Sequence, residues 1–390
     1  MRRVYLDNNA TTPMLPEVLD AMRPYFGEHF GNASSIHHHG QETRAAVERA
    51  RESVAALLGA RASEVVFTSG GTEADNLALF GLVGPGDHVV TSTIEHHAVL
   101  NACKHLAESR GSSGCEVTYV PVDDRGLVDP TDVKRAIRPN TKLITIMFAN
   151  NETGVLQPVN EIGKIAAEAD IYFHTDAVQA AGKIPIDVNE IGCDLLTISG
   201  HKIHGPQGVG ALYVRKGTRL EPMLYGGSHE RSRRAGTENV PGIVGLGKAA
   251  ESAGVGVDRG DDEKIAAARD HLERELLKIE ATGLNGEGAP RVPNTTNIYF
   301  DGIEGEALVI ALDLKGLAVS TGAACSSGAI EPSHVLTAMG LRTDRAKASI
   351  RFSLGKQNTA EDIEFALATV PETVSRLREL SPVYRTVVSK

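Results

Sequence analysis

Hydrophobic and polar residues follow one another along the chain in blocks that predict strands and helices in turn. Short apolar runs bounded by turn-forming residues predict seven strands, at residues 65–67, 87–91, 116–122, 142–148, 171–175, 195–199 and 209–214. Segments with helical periodicity separate most of them, at residues 74–82, 98–110, 131–137 and 159–168. This order predicts an α/β fold with a mostly parallel sheet flanked by helices. No helix precedes the last strand, so we expect it to be antiparallel and the seven-stranded sheet to be mixed.

The pattern changes on both sides of this region. Helices are predicted before it, at 16–25 and 41–58, and a concentration of glycine and charge near 253–256 predicts a connection to a second domain. A long helix at 261–279, strands at 296–300, 317–320 and 349–352, and a final helix that starts at a capping box and runs to about residue 380 follow. We therefore expect a large domain of residues 16–255 and a smaller α+β domain of residues 1–15 and 256–390.

The composition narrows the class of protein. An apolar fraction of 41% and a charged fraction of 23% are typical of a soluble globular protein. The net charge of −10 and the lack of a long basic run argue against binding to nucleic acid. The N-terminus turns polar at once, and no apolar run is long enough for a membrane span. Four scattered cysteines without a CxxC pair suit a reducing cytosol. A cytoplasmic protein is expected.

A lysine in a tight loop is the first candidate for chemistry. Lys202 lies in residues 199–208 (SGHKIHGPQG), directly after the predicted strand 195–199. Open α/β sheets place ligand crevices at the carboxyl ends of their strands. A lysine amine there, between His201 and His204, can have a lowered pKa and react with an aldehyde. A solvated surface lysine is the ordinary alternative, and the loop alone does not decide between them.

Other strand ends carry polar residues that complement this lysine. Residues 68–73 (TSGGTE) lead into a helix, where glycines and Thr72 can bind a phosphate or simply cap the helix. Asp176 ends another strand and can hold a heteroaromatic nitrogen protonated, with Gln179 three residues on; a helix N-cap is its alternative. Asn151 offers an amide at the same sheet edge, and His96 can stack on a planar ring or pack in the core.

Together these residue types match the requirements of pyridoxal 5′-phosphate, which is held by a lysine Schiff base and an aspartate at its ring nitrogen. The histidine tract 37–39 suggests a metal instead, but neighbouring side chains point in different directions on a regular element. A metal-dependent hydrolase built on these histidines, on His96–His97 and on His201 and His204 is the alternative from another class. It leaves Lys202 without a role.

Eight motifs carry a resemblance to a known family. They are YLDNNATT at 5–12, TSGGTE at 68–73, EH at 95–96, NNE at 150–152, HTDAVQ at 174–179, SGHK at 199–202, RAGT at 234–237 and IRFS at 350–353. Over nearly its whole length the chain resembles the NifS/IscS cysteine desulfurases, which are fold-type I PLP-dependent transferases. The resemblance implies a homodimer that acts on L-cysteine and delivers sulfur to an iron–sulfur scaffold protein or another acceptor.

The resemblance also implies roles for individual residues. Lys202 would bond to the cofactor and move protons once released, while His96 would stack on the ring. Asp176 would pair with the pyridine nitrogen and Gln179 with the 3′ oxygen. The phosphate would be bound by Gly71, Thr72, Ser199 and His201, and by Thr237 of the other subunit. The substrate carboxylate would be bound by Arg351, Asn151 and Asn32, with Asn151 also next to the cofactor.

The last candidate is Cys325, in the small-residue stretch 320–332 (STGAACSSGAIEP) that predicts an exposed loop. From the residues alone, a nucleophile and an inert cysteine stay equally open. The resemblance implies that Cys325 takes sulfur from cysteine as a persulfide. No resident metal is expected, and transient ligation of an iron–sulfur cluster by Cys325 is left open. The alternatives are a selenocysteine lyase or cystine β-lyase on the same scaffold, and a non-enzymatic sulfur carrier that uses Cys325 alone.

Overall fold

In the computed structural model, residues 2–108, 114–322, 332–381 and 384 are described. Seven strands form the main sheet: β2 (Val65–Thr68), β3 (His88–Ser92), β4 (Glu116–Val120), β5 (Thr141–Thr145), β6 (Tyr172–Asp176), β7 (Leu195–Ser199) and β8 (Gly210–Val214). Their order across the sheet is β2-β8-β7-β6-β5-β3-β4. Strand β8 runs antiparallel to both of its neighbours, and the other pairs are parallel. The predicted seven-stranded, mostly parallel mixed sheet is confirmed.

The strands carry apolar residues on both of their sides because both faces of the sheet are covered. Val65 and Phe67 belong to one hydrophobic cluster, whereas Val66, between them, belongs to another. Leu196 and Leu195 divide between the same two clusters. Successive side chains of a strand point to opposite faces, so a parallel sheet with helices on both sides has apolar residues on both faces of its strands.

Thirteen helices occur within the described residues. They are α1 (Pro16–Met22), α2 (His38–Leu57), α3 (Gly71–Leu82), α4 (His97–Glu108), α5 (Pro130–Ala136), α6 (Val159–Glu168), α7 (Val188–Ile191), α8 (Val240–Asp258), α9 (Asp261–Leu276), α10 (Gly305–Leu314), α11 (His334–Ala338), α12 (Thr343–Lys347) and α13 (Ala360–Leu380). No helix of the described ranges is long and apolar enough to cross a membrane. The histidine tract begins helix α2, where the His37 ring accepts a hydrogen bond from the Gly40 amide.

Helix α8 is the largest element that the sequence pattern does not predict. It contains five glycines and runs through residues 253–256, where we expected a connection between domains. A Cβ on Gly245 would come within 2.6 Å of Met22 Sδ, and one on Gly247 within 2.5 Å of the Ala50 Cα. The glycines therefore let α8 pack closely against α1 and α2. Close packing outweighs the low helix propensity of glycine, which tertiary context often does.

A smaller set of strands surrounds a third apolar cluster. Strands β9 (Thr282–Leu284), β10 (Thr295–Phe300) and β12 (Ser349–Ser353) form an antiparallel sheet in the order β12-β10-β9. The N-terminal strand β1 (Val4–Tyr5) pairs in parallel with β11 (Leu317–Ala318). Leu6 joins this cluster together with residues of α9, α10 and α13. The first residues of the chain thus pack with its last third, while the domain boundaries remain a prediction.

Candidate active site

The lysine loop begins where β7 ends and is held by the N-terminal segment. Residues Gly200–Lys202 form a single 3₁₀ turn, and His204 has a left-handed backbone with φ of 64°. Thr12 stabilises this turn from both sides. Its amide and hydroxyl donate to the His201 carbonyl oxygen, and its hydroxyl oxygen accepts from the His204 amide at 2.8 Å. The lysine is therefore presented by a loop with a single, fixed shape.

Most of the predicted site residues line one cavity of roughly 330 Å³. They are Gly71, Thr72, His96, Asn151, Asp176, Gln179, Ser199, His201, Lys202 and Arg351. Asn32 and Thr237 are exposed and do not line this cavity within the chain. Cys325 lies outside the described residues; Ser320 and Gly322, which precede it, line the cavity. The fold therefore brings together residues that are as much as 280 positions apart, from Gly71 to Arg351.

One end of the cavity is suited to an anion. Helix α3 begins at Gly71, and its first backbone hydrogen bond runs from the Ala74 amide to the Gly70 carbonyl oxygen. The amides of Gly71 and Thr72 precede that bond, so they have no acceptor within the helix. A Cβ on Gly71 would come within 2.9 Å of Val178 Cγ2 and narrow the space in front of these amides. Free amides and the helix dipole together favour a bound phosphate at this end.

An ion pair ties this anion end to the segment that carries Thr237. Arg234 Nε donates to Glu73 Oε1 at 2.9 Å, and Glu73 also accepts from the Ser69 amide at 2.8 Å. These hydrogen bonds and the Arg234 charge outweigh burial and lower the pKa of Glu73. The segment 233–237 is thus anchored beside the start of α3. Thr237 itself is exposed and does not line the chain's own cavity.

Two buried carboxyl groups, those of Asp75 and Asp176, line the same cavity. Burial raises the pKa of Asp176 to about 6, against the effects of the Val178 amide bond and the Lys202 charge. Asp75, one turn into α3, lines the same cavity, and burial together with the Asp176 charge raises its pKa well above the usual value. Burial thus raises the pKa of both carboxyl groups, while the Lys202 charge favours the anion of Asp176. A carboxylate there can face a protonated ring nitrogen.

Burial lowers the pKa of two basic groups that line the cavity. Burial, followed by the charge of Arg351, lowers the pKa of Lys202 to about 8. Lys202 Nζ donates to the carbonyl oxygens of Asn9, at 2.5 Å, and Ala10, at 2.7 Å. Burial lowers the pKa of His96 to about 4, so the ring is neutral, and its Nδ1 accepts from the Ala98 amide at 3.2 Å. The His96 ring is therefore neutral, and Lys202 is partly deprotonated near pH 8.

The guanidinium of Arg351 is held in place by two fixed partners. One terminal nitrogen donates to the Asn151 carbonyl oxygen at 2.8 Å, and the other pairs with Asp7 Oδ1 at 2.6 Å. Its Nε is buried and has no hydrogen-bond partner among the described residues. A buried guanidinium with an unused donor is a site for a carboxylate. Arg351 therefore fits the role in binding an amino acid carboxylate that the resemblance implies.

Some residues around the cavity were not singled out by the sequence reasoning. Asp75, Asn9 and Glu152 line the cavity, and Lys183 lies next to Gln179. Asn9 belongs to the motif at residues 5–12, and Lys183 lies four residues after Gln179. Each of them therefore had a local signal in the sequence. Asp75 gave no such signal. From the sequence, an aspartate within an apolar helix cannot be distinguished from a solvent-exposed one, because its burial depends on the fold.

The other cysteines are buried. Burial raises the pKa of Cys193 to about 12 and that of Cys103 further still. Cys115 is buried as well. Thiols of this kind stay protonated and are poor nucleophiles, because the thiolate is the reactive form. They pack as small apolar side chains.

The fold and this cavity define the class of protein. The family model for aminotransferase class-V matches residues 4–365. The chain belongs to the aminotransferase class-V family, a family of PLP-dependent enzymes.

Its relatives narrow the class further. A cysteine desulfurase IscS from Dictyoglomus turgidum is 51% identical over 386 residues, covering 98% of this chain and 97% of that protein. A solved NifS-like protein superposes with a TM-score of 0.88 at 37% identity, covering 96% of this chain and all (100%) of that chain. SspA in complex with cysteine superposes with a TM-score of 0.80 at 38% identity, covering 91% and 100% of the two chains. The resemblance to NifS/IscS cysteine desulfurases is confirmed.

Proposed function

We propose that this chain is a PLP-dependent cysteine desulfurase that converts L-cysteine to L-alanine and holds the sulfur as a persulfide on Cys325. The observation that carries the proposal is the meeting of Lys202, Asp176, the start of α3 and Arg351 in one cavity. Close relatives named as cysteine desulfurases, and a structural neighbour solved with cysteine, support the same reading. They favour the desulfurase over the lyase alternative.

The residues present fit pyridoxal 5′-phosphate. The free amides at Gly71 and Thr72, with Ser199 and His201 beside them, suit its phosphate, and Gly71 keeps that space open. The Asp176 carboxylate suits its ring nitrogen, and Lys202 would bond to its aldehyde. When bound, this cofactor supplies an electron sink for the α-carbon of an amino acid. Everything else in the reaction falls to the chain's own groups.

The substrate would be oriented before any bond changes. Arg351 offers its unused Nε, and Asn151 lies beside it, so the carboxylate of L-cysteine would be held at that end of the cavity. Lys202, with its pKa lowered to about 8, can accept the α-proton and return protons near neutral pH. The neutral His96 ring, which lines the same cavity, would be a second group able to exchange these protons.

The sulfur step balances without an external oxidant. The thiolate of Cys325 attacks the sulfur of bound cysteine, so an S–S bond forms and the C–S bond of the substrate breaks. The electron pair of the C–S bond remains with the β-carbon, which takes up a proton as alanine forms. The sum is L-cysteine plus enzyme thiol giving L-alanine plus enzyme persulfide. A reducing thiol or an acceptor protein then removes the outer sulfur.

The assembly and the setting are part of the proposal. We infer a homodimer, because Thr237 is exposed near the α3 end of the cavity without lining it, and a partner's cavity is where it would act. The sulfur acceptor would be an iron–sulfur scaffold protein or another thiol carrier, in the cytoplasm.

The test is the absorbance spectrum of the protein reconstituted with PLP, followed by addition of L-cysteine. We expect a visible band in the wild type that is altered in Lys202→Ala. We also expect sulfide release with a reducing thiol in the wild type but not in Cys325→Ser, although that variant keeps its colour. Cys103→Ala, which changes a buried cysteine, is the matched control and should release sulfide. A colourless wild type, or sulfide release by Cys325→Ser, would contradict the proposal.

A further inference from the structure

A second lysine, Lys183, contacts residues that line the cavity and has no role in the reaction described above. It follows Gln179 by four residues, and its Nζ donates to Gln179 Oε1 at 2.7 Å and to Asn9 Oδ1 at 3.1 Å. Lys183 and Lys202 both line a smaller cleft next to the cavity. Two lysines therefore contact the same short N-terminal segment, since Lys202 donates to the Asn9 carbonyl oxygen.

The contacts of Gln179 fix which way its amide points. Its Nε2 donates to the Asn9 carbonyl oxygen at 3.0 Å, and a carbonyl oxygen can only accept. Its Oε1 receives the Lys183 amine. Both hydrogen bonds require the same orientation of the Gln179 amide. The second N–H of Gln179 is therefore left for an acceptor in the cavity that this residue lines. Without Lys183, the oxygen of this buried amide would lose its donor. Only one of the two hydrogen bonds that fix the amide orientation would then remain.

Asn9 is fixed by the same logic and uses its full hydrogen-bonding capacity. Its Oδ1 accepts from Lys183 Nζ and from Asn294 Nδ2 at 3.0 Å. Its Nδ2 donates to Thr295 Oγ1 at 2.9 Å and to the Asn151 carbonyl oxygen at 3.3 Å. The side chain thus joins the Lys183 amine to strand β10 and to the substrate end of the cavity. Lys183 is therefore an integral part of this hydrogen-bond network.

No carboxylate of the described residues lies within ion-pair distance of the Lys183 amine, whose direct partners are two amide oxygens. Burial, and then the charges of Lys202 and Arg351, lower the pKa of Lys183 far below its usual value. The remaining titratable groups that share its cleft are His204, Asp261, Asp262 and Lys356. Burying the Lys183 amine with only amide oxygens as direct partners is energetically unfavourable. The orientation that the amine imposes on the Gln179 amide explains why it is there.

We propose that Lys183 is a positioning residue that directs an N–H of Gln179 toward the ring oxygen of the bound cofactor, and thereby lowers the pH at which the bound cofactor titrates. The inference rests on the proposed function, since it concerns the same site. A hydrogen bond donated to that oxygen stabilises its ionised form, so its loss shifts the titration to higher pH. Lys183 acts through Gln179 and has no contact of its own with the reacting atoms.

The experiment is a pH titration of the visible absorbance of the PLP-reconstituted protein. In Lys183→Met we expect the midpoint to rise by about 0.5–1 pH unit, the size of effect that a weakened hydrogen bond to a charged acceptor produces. Lys183→Gln keeps an N–H donor and should fall between this variant and the wild type. Lys164→Met, which changes an exposed lysine of α6, is the matched control and should titrate as the wild type does.

A double-mutant cycle separates positioning from general damage. If Lys183 acts through Gln179, the double variant Lys183→Met/Gln179→Met should titrate at the same pH as Gln179→Met alone. Additive shifts, or a wild-type midpoint in Lys183→Met, would overturn the inference while leaving the proposed function intact. A lower melting temperature with an unchanged midpoint would show a merely structural lysine and would also overturn it. A wild type without a visible band would remove the proposed function and this inference together.

Discussion

Glu95 is a fully buried carboxyl group between strand β3 and helix α4. Its Oε1 accepts from Ser92 Oγ at 2.6 Å and from the Met147 amide at 3.0 Å, while its Oε2 has no partner among the described residues. Burial raises the pKa of Glu95 to about 8; the two hydrogen bonds lower it and the Asp176 charge raises it further. The folded protein therefore keeps a proton that the unfolded chain releases above about pH 4.3.

This proton makes stability depend on pH. Between the unfolded pKa and about 8 the folded state binds more protons than the unfolded state, so the free energy of unfolding falls as pH rises through that window. Glu95→Gln imitates the protonated acid and removes this contribution. We expect similar melting temperatures for wild type and variant at pH 5, and a more stable variant at pH 8. Calorimetry of the apoprotein measures both.

The control for Glu95→Gln is Glu190→Gln, which changes an exposed glutamate at the end of α7. It should follow the wild-type curve at both pH values. If Glu95→Gln and the wild type lose stability in parallel between pH 5 and pH 8, Glu95 is ionised in the folded protein and the interpretation is wrong.

Sequence reasoning reached individual residues at this scale when a motif marked them. Lys202, Asp176 and Arg351 were placed at strand ends or in motifs, and they line one cavity. Their pKa shifts could not be predicted, because each depends on burial and on charges that are distant in the sequence. Asp75 was missed for the same reason, because its burial and the charges near it come from other elements.

At the scale of elements, the start of helix α3 is where local and tertiary preferences conflict. Alanine is favoured over glycine within a helix by about 1 kcal/mol, so Gly71→Ala should stabilise α3 taken by itself. In the folded chain, however, its Cβ would lie 2.9 Å from Val178 Cγ2, beside the free amides. The cavity side of α3 therefore requires glycine although the helix does not.

We expect Gly71→Ala to weaken the binding of PLP by about tenfold or more, because a contact displaced by a few tenths of an ångström disturbs the amides that face the phosphate. Fluorescence or absorbance titration of the apoprotein with PLP measures the affinity. Gly254→Ala in α8, where an added Cβ meets nothing within 4 Å, is the matched control. It should leave the affinity unchanged and raise the stability slightly. Unaltered PLP affinity in Gly71→Ala would exclude α3 as the phosphate site.

Helix and strand identities were largely predictable, since each follows from a local period. Helix α6 (Val159–Glu168) and strand β7 (Leu195–Ser199) match the predicted bounds, and the other main-sheet strands differ by a few residues at their ends. Helix α8 was not predicted, because its glycines are explained only by the helices against which they pack. Local propensity and packing agree in the first cases and oppose each other in the last.

At the scale of the whole molecule, large apolar side chains remain exposed on one region of the surface. Ile36 is 89% exposed and Tyr225 88% exposed, with Phe26 and Phe30 also largely open to solvent. Residues 26–36 and residues 225–229 are neighbouring segments, since Ser34 Oγ lies 3.4 Å from His229 Nδ1. Thr237 follows the second of these segments. An exposed apolar surface of this kind, next to a residue that a second subunit is expected to supply, fits the proposed homodimer.

We expect sedimentation to give about twice the chain mass of 41.4 kDa for the wild type. Phe30→Glu should shift the protein toward the monomer and weaken PLP retention, because a charge in an apolar contact opposes association and Thr237 would no longer reach the partner's cavity. Ile310→Glu, at a side chain 61% exposed on α10, is the matched control and should remain dimeric. A monomeric wild type that retains PLP fully would refute the shared site.

The sequence by itself determined the class of fold and the set of residues from which the site is built. Hydrophobic periodicity is a local property, and strand ends of a parallel sheet must meet at one edge, so motifs such as those around Asp176 and Lys202 could be joined without coordinates. The tertiary structure alone decided which carboxyl groups keep protons, which way the Gln179 amide points, and why α8 contains glycines. These depend on burial and on contacts between distant parts of the chain, such as those of Asn9 with Lys183 and Asn294. No local pattern encodes such contacts.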